Sequence, residues 1–370
     1  MDIRLPAACM TLSCPSHSFD RSGAQAPYDA FCSNPNFEPV AYSVMPGYED
    51  RVFLERLPNV PMYHSDLEML NNHPEIEACI ISSQNNLHFE QMKLCVERGI
   101  QIYSMKVPTF DVNEYREMIQ MCEKNDVICQ VELELQYTPC VRRAKELIKE
   151  GKIGKVLSFN ALNTSHDPVS WLPWHGIPEQ SYGKLLQLKP GDHRYRGGAL
   201  SDHPHIFDLV RYITESDFDY VYANAGGNVG RDVVTEDTVG IIGKMKNGMI
   251  FSLDPSFSRT ETPMKLIGAG YEIYPKRVEV YMAIHGTKGS IFIDYDGPCV
   301  HYANLPAERF TTRIESLYAD ACQINEFADC VREHRNPNIN LRSHFQTIQA
   351  MNACYESIST GDAVKVLCHP

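Results

Sequence analysis

The first third of the chain alternates short apolar runs with longer stretches whose apolar residues recur at helical spacing. "IRLPAACMT" reads as a first strand, and "EPVAYSVM" (Glu38–Met45) as a second that stops at Pro46 and Gly47. "IEACIISS" (Ile76–Ser83) is apolar without alternation, the pattern of a strand covered on both faces. "NNLHFEQMKLCVERG" then predicts a helix: Asn85 is its N-cap, Leu87, Met92 and Cys95 fall near one face, and Gly99 is its C-cap. "IQIYSMKV" is a strand, "DVNEYREMIQMCEKN" a helix capped by Asp111, and "VICQVEL" a strand again. Strands alternating with helices predict parallel βαβ units in a doubly wound sheet. Such sheets bind ligands beyond the carboxyl ends of their strands, so "CMTLSC", "SVMPG", "SSQNNLH" and "SMKVP" are the segments expected to carry function.

After the helix "CVRRAKELIKEGKIG" the pattern changes. "KVLSFNALNT" is a strand, and a segment containing Pro, His and Trp runs from Ser165 to Arg196. "GGALSDHPHIFDLVRYI" reads as one helix opened by Gly197 and Gly198. Four strand patterns follow without intervening helices, with turn signals at Asn247–Gly248 and Thr287–Lys288–Gly289, so the second sheet is mainly antiparallel. Two helices, around "INEFADCVREH" and "FQTIQAMNACYESI", close the chain. The predicted fold class is α/β followed by α+β. Residues 1–130 form the first domain and 131–370 the second.

Composition narrows the partners. The formal net charge is −13 and Lys and Arg are not clustered, which argues against nucleic acid and anionic membranes. The 13 cysteines are scattered without a CxxC pair and read as reduced thiols of a cytoplasmic protein. "MDIRLPAAC" has too short an apolar run, interrupted by Pro6, for a lipoprotein signal. No stretch reaches the ~20 apolar residues of a membrane span.

Taken in order, several segments resemble the glucose–fructose oxidoreductase/inositol dehydrogenase (Gfo/Idh/MocA) family. "ISSQNNLH" resembles its "TPNxxH" turn, "SMKVP" its "EKP" motif and "GGALSDHPHIFDLVRYI" its "GGGxLxDxGxHxxD" helix. "EDTVGIIGKMKNGMIFSLDPSFS", "IHGTKGSIFIDY" and "ACYESISTGDAV" resemble its later strands and last helix. The resemblance implies a Rossmann-like domain and an open-faced sheet through which the chain forms a homo-oligomer, a dimer or tetramer. It also implies NAD- or NADP-linked oxidation or reduction of a sugar, glycoside or polyol. The sequence departs from the family pattern at the glycine-rich turn, which aligns with Cys9, Thr11 and Cys14. Val44 stands at the acidic position after the second strand, and Met105 and Val107 flank Lys106.

Hydride transfer from a secondary alcohol needs a base for the hydroxyl proton and a donor or cation for the developing alkoxide. Lys106, at the carboxyl end of a strand, supplies the ammonium, and His205 the imidazole base. Asp202 lies three residues before His205 and orients substrate or histidine, with Asp208 a turn further on. His203 competes with His205 for the role of base. The expected dinucleotide contacts are Thr11, Ser13, Ser83, Asn85, His88 and Lys106, with hydroxyls replacing the lost glycine nest. Trp174, His166, Arg194 and His203 are the expected sugar contacts, an aromatic face among polar groups. No metal is assigned. Two other readings stay open: a non-catalytic relative acting as sensor or partner subunit, and a metal-assisted lyase or hydrolase using His166, His175, His193, Asp202, His203 and His205.

Overall fold

The structure, a computed structural model, describes residues 4–12, 34–44, 59–83, 85–165, 198–226, 236–257, 264–265, 272–273, 278–295, 299–304, 309–313 and 319–367. The first sheet has six strands: β1 (Leu5–Leu12), β2 (Phe37–Val44), β3 (Met62–Tyr63), β4 (Ala78–Ile81), β5 (Gln101–Ser104) and β6 (Cys129–Val131). They are all parallel, in the order β3-β2-β1-β4-β5-β6. Every residue of β4 is buried, as its unbroken apolar run predicts. Helices α1 (Asp66–Asn72), α2 (Asn85–Val96) and α3 (Val112–Lys124) connect the strands. The Asp111 side chain accepts from the Asn113 and Glu114 N–H groups and caps α3, as the sequence indicated.

A 3-10 turn, Glu134–Tyr137, follows β6 and leads into α4 (Pro139–Lys149). Strand β7 (Val156–Ser165) opens the second sheet, and two short helices, α5 (Ala199–Asp202) and α6 (Pro204–Thr214), come next. The sheet continues with β8 (Phe218–Ala225), β9 (Val239–Met245) and β10 (Ile250–Asp254). A two-stranded ribbon, β11 (Met264–Lys265) and β12 (Glu272–Ile273), stands apart. The chain then adds β13 (Val278–Gly286), β14 (Gly289–Asp294), β15 (Cys299–Asn304) and β16 (Arg309–Arg313). It ends with α7 (Ala319–Glu333), α8 (Leu341–Thr360) and β17 (Val364–Lys365).

The second sheet has nine strands in the order β16-β15-β14-β13-β7-β10-β9-β8-β17. Every pairing is antiparallel except that of β7 with β10. The α/β plus α+β architecture expected from the sequence is therefore the one observed. One face of β8, β9 and β10 is buried, and the other leaves Tyr220, Tyr222, Ile242 and Ile250 exposed.

Helix α7, from near the end of the chain, packs back onto the first sheet. Phe327 stacks on Phe37 at 6.1 Å between ring centroids and meets Tyr103 edge-on at 5.7 Å. None of the described cysteines forms a disulfide, and most are buried. Among the described residues no helix is long and apolar enough to cross a membrane.

Candidate active site

The site begins where β5 ends. Lys106 leaves the sheet two residues after Ser104, and its Nζ lies 2.6 Å from Asp202 Oδ1 and 2.5 Å from the Asp202 carbonyl oxygen. Both side chains are largely buried. Burial disfavours the ammonium, but Asp202 together with Glu132 and Glu134 outweighs it, and the Lys106 pKa is raised. Two residues singled out in the sequence are thus brought together, with Asp202 meeting Lys106 rather than only substrate or histidine.

The loop around Lys106 is braced from below. Asn85 Nδ2 donates to the Val107 carbonyl at 2.7 Å, and His88 Nδ1 lies 3.2 Å from the same oxygen. His88 Nε2 is 3.1 Å from the Ser83 carbonyl. Burial pushes the His88 pKa down to about 4, so the ring is neutral and donates to one of these two carbonyl oxygens at a time. His88 was expected to touch the dinucleotide. It is instead fully buried, and acts by tying the β4 turn to the β5 turn. The Ser83 hydroxyl donates to Gln91 Oε1 at 2.5 Å and the Gln91 amide to Asp66 Oδ2 at 2.7 Å; the Ser43 hydroxyl reaches the other Asp66 oxygen. This chain of side chains joins the ends of β2 and β4.

The segment carrying Asp202 and His205 is two helices, not the one its sequence suggested. Pro204 has no N–H and disfavours helical backbone at His203, which sits at φ −113, ψ 53. Asp202 ends α5 and His205 lies in the first turn of α6, so a break rather than a shared helix face brings them to one place. Gly198 caps α5 where the chain passes close to Glu236: a Cβ there would stand 1.9 Å from the Glu236 carbonyl oxygen. That carbonyl accepts from Ala199 N–H at 2.8 Å, and Glu236 Oε1 accepts from Leu200 N–H at 3.1 Å and from the Tyr355 hydroxyl at 2.8 Å. Only glycine permits this approach.

His205 is almost completely buried. Burial, then the nearby Lys106 charge, lower its pKa to about 4, so the imidazole is neutral near pH 7. His203 packs its ring edge-on against Phe257 at 5.3 Å. Asp208 does not join the site from the same side; Gln136 Nε2 donates to it at 2.5 Å, and burial raises its pKa to about 6.

Two carboxyl groups that sequence reasoning missed complete the cluster. Glu132 and Glu134 follow β6 directly. Burial, then the adjoining Glu134 charge, push the Glu132 pKa up to about 8. Glu134 Oε2 lies 3.7 Å from His205 Nδ1. The signal that could have found them is the rule that singled out "SMKVP": both residues leave the carboxyl end of a parallel strand.

The segment "CMTLSC" does not form a turn over its first four residues. Strand β1 runs through to Leu12, with Cys9 and Met10 buried, because Ala7 to Met10 pair with β4 on one side while β2 pairs on the other. Thr11 therefore lies within the strand, and Ser13 and Cys14 lie outside the described residues. Trp174, His166 and Arg194, with His175 and His193, also fall outside them. Among the described residues no group of three or more His, Cys, Asp or Glu could hold a metal ion. The sheet topology fits a dinucleotide. The strand order reverses between β1 and β4, and Ser83, Asn85 and Lys106 stand at the carboxyl edge beside that crevice.

Comparison with known proteins agrees with this geometry. Residues 39–133 match the oxidoreductase family NAD-binding Rossmann fold, and residues 141–292 match the GFO/IDH/MocA C-terminal domain. The chain is 28% identical over 231 residues to 2,7-anhydro-N-acetylneuraminate hydratase of Mediterraneibacter gnavus, covering 62% of this chain and 54% of the hydratase, about half of that relative's length. It is 23% identical over 263 residues to myo-inositol 2-dehydrogenase of Thermotoga maritima, covering 69% of this chain and 68% of that enzyme. The solved structure of levoglucosan dehydrogenase in complex with NADH and levoglucosan has the same fold, with a TM-score of 0.77 at 19% identity over 99% of this chain and 100% of that one. With an NAD-binding Rossmann domain joined to this open sheet, the chain belongs to the Gfo/Idh/MocA family of oxidoreductases.

Proposed function

We propose that the protein is an NAD(P)-dependent oxidoreductase acting on a secondary hydroxyl or ketone of a sugar, glycoside or polyol, with Lys106, Asp202 and His205 as its catalytic groups. The observation that carries this reading is the buried Lys106–Asp202 pair at 2.6 Å, set at the carboxyl end of β5 with His205 three residues beyond Asp202. The substrates of these relatives, an anhydro-N-acetylneuraminate, an inositol and levoglucosan, support a polyhydroxylated ring.

A bound nicotinamide supplies the hydride acceptor or donor. Each of the chain's own groups has a separate part. Asp202 holds the Lys106 ammonium in place by two contacts, side chain and carbonyl. The ammonium stabilises negative charge developing on the substrate oxygen. The neutral His205 ring takes the hydroxyl proton in oxidation and returns it in reduction. Ser83 and Asn85 stand where a dinucleotide would lie, and Asn85 also fixes the loop after Lys106. Thr11, Ser13, Trp174, His166, Arg194 and His203 complete the proposed cofactor and substrate contacts. NAD and NADP are both admitted. The exposed Tyr220, Tyr222, Ile242 and Ile250 on the open face of the second sheet support a homo-oligomer.

The test is to denature purified protein and look for released nicotinamide dinucleotide, then titrate NAD and NADP by calorimetry. Binding tighter than millimolar, with turnover abolished in Lys106→Ala and His205→Ala proteins that stay folded, is the expected result. Absence of both bound and titratable dinucleotide overturns it.

A further inference from the structure

His205 Nδ1 and Glu134 Oε2 are both buried, and neither has a hydrogen-bond partner. They face each other across 3.7 Å. That is about 0.8 Å longer than an ordinary N–H···O bond, so a small rotation of either side chain joins them. The two groups come from different elements: Glu134 from the turn after β6, His205 from the first turn of α6. Lys106, Asp202 and Glu132 face the same ring, and His344 approaches it from α8.

We infer that Glu134 is the positioning residue of His205: its carboxylate holds the proton of the neutral ring on Nδ1 and leaves the Nε2 lone pair as the base. The reasoning is electrostatic. A neutral imidazole carries one N–H and one lone pair. With the proton on Nδ1, the N–H meets a carboxylate oxygen. With the proton on Nε2, two lone pairs meet in a buried space where water cannot separate them. Glu132 makes the assignment firmer. Burial, with the Glu134 charge adjoining it, pushes the Glu132 pKa up to about 8, so Glu132 holds its own proton near neutral pH and adds no second negative charge beside the ring. The arrangement has the logic of a base oriented by a third group, in which the carboxylate never takes the proton itself. In alcohol oxidation the hydroxyl proton moves to Nε2, the C–H pair leaves as hydride to the nicotinamide, and Glu134 stabilises the imidazolium. This role rests on the reaction proposed above.

The readout needs neither cofactor nor substrate. Nitrogen NMR of the full chain labelled with 15N-histidine, with His205→Gln to assign the ring, distinguishes the two tautomers. The wild-type ring is expected to carry its proton on Nδ1. Glu134→Leu, which has no acceptor, is expected to lose that preference, and Glu134→Gln, whose amide oxygen still accepts, to keep it. A wild-type proton on Nε2 overturns the assignment, as does an unchanged tautomer in Glu134→Leu. If Glu134→Leu does not fold, the wild-type tautomer decides. In turnover, Glu134→Leu is expected to lower kcat about ten- to hundredfold while KM moves less than about twofold.

Discussion

Removing the charge from either end of the Lys106–Asp202 pair tests whether the two are energetically one unit. At 2.6 Å and an effective dielectric of about 20, their attraction is about 6 kcal/mol before the cost of burying both groups is subtracted. Lys106→Met removes the ammonium 2.6 Å from the buried Asp202 carboxylate, and the expected loss of stability is about 3–5 kcal/mol. Asp202→Asn keeps the shape and the backbone carbonyl that Lys106 Nζ reaches at 2.5 Å, so its expected loss is smaller, about 1–3 kcal/mol. The double variant removes both charges and is expected to lose less than the sum of the two, with a coupling of about 2–3 kcal/mol. Equilibrium unfolding in urea of the wild type and the three variants measures this cycle, provided the denaturant slope is common to all four. Single losses that add to within about 0.5 kcal/mol would refute the idea that the pair acts as a unit.

Two other outcomes follow from the same site. Gly198→Ala places a methyl 1.9 Å from the Glu236 carbonyl, where backbone must yield, and is expected to cost about 3 kcal/mol and displace Asp202; an unchanged thermal midpoint would contradict it. Glu132 has its pKa raised from 4.5 to about 8, so the stability it contributes is full below about pH 4.5 and lost as pH rises through about 8. Glu132→Gln should therefore flatten the fall in thermal midpoint between pH 5 and pH 9, roughly 3–5 kcal/mol at its limit, and an unaltered slope would show that the carboxyl ionises freely.

Lys106 was legible because it closes a strand, and Asp202 because it lies three residues before His205 in a segment that resembles a family motif. The parallel sheet was readable for a related reason: strands buried on both faces, such as Ala78–Ile81, leave an unbroken apolar run. Pro204 itself was the signal that the segment carrying Asp202 and His205 is two helices, and the apolar spacing around it concealed that signal. Glu132 and Glu134 escaped because alternating carboxylates at a strand exit look like an ordinary solvated edge. Their importance comes from what packs over them, Lys106 from one strand turn and His205 from a helix some seventy positions later, and no local pattern encodes that meeting. The end of β1 is a similar case. Cys9 and Met10 are strand residues because β2 and β4 flank them, whereas alignment to a glycine motif placed a turn there.

Helix α7 bears on how the chain is made. Gln323 Oε1 accepts from the Tyr103 hydroxyl and from Leu133 N–H, both at 3.2 Å; its amide donates to the Val131 carbonyl at 2.8 Å, and its own carbonyl accepts from Gln130. With Phe327 against Phe37 and Tyr103, these contacts close one side of a sheet whose strands were all synthesised before residue 132. On the ribosome, that side stays bare until the α7 residues emerge. The order in which the protein is translated is therefore not the order in which its first layer is finished, and a nascent chain released before α7 presents the apolar flank of a parallel sheet to whatever chaperone or neighbouring chain meets it.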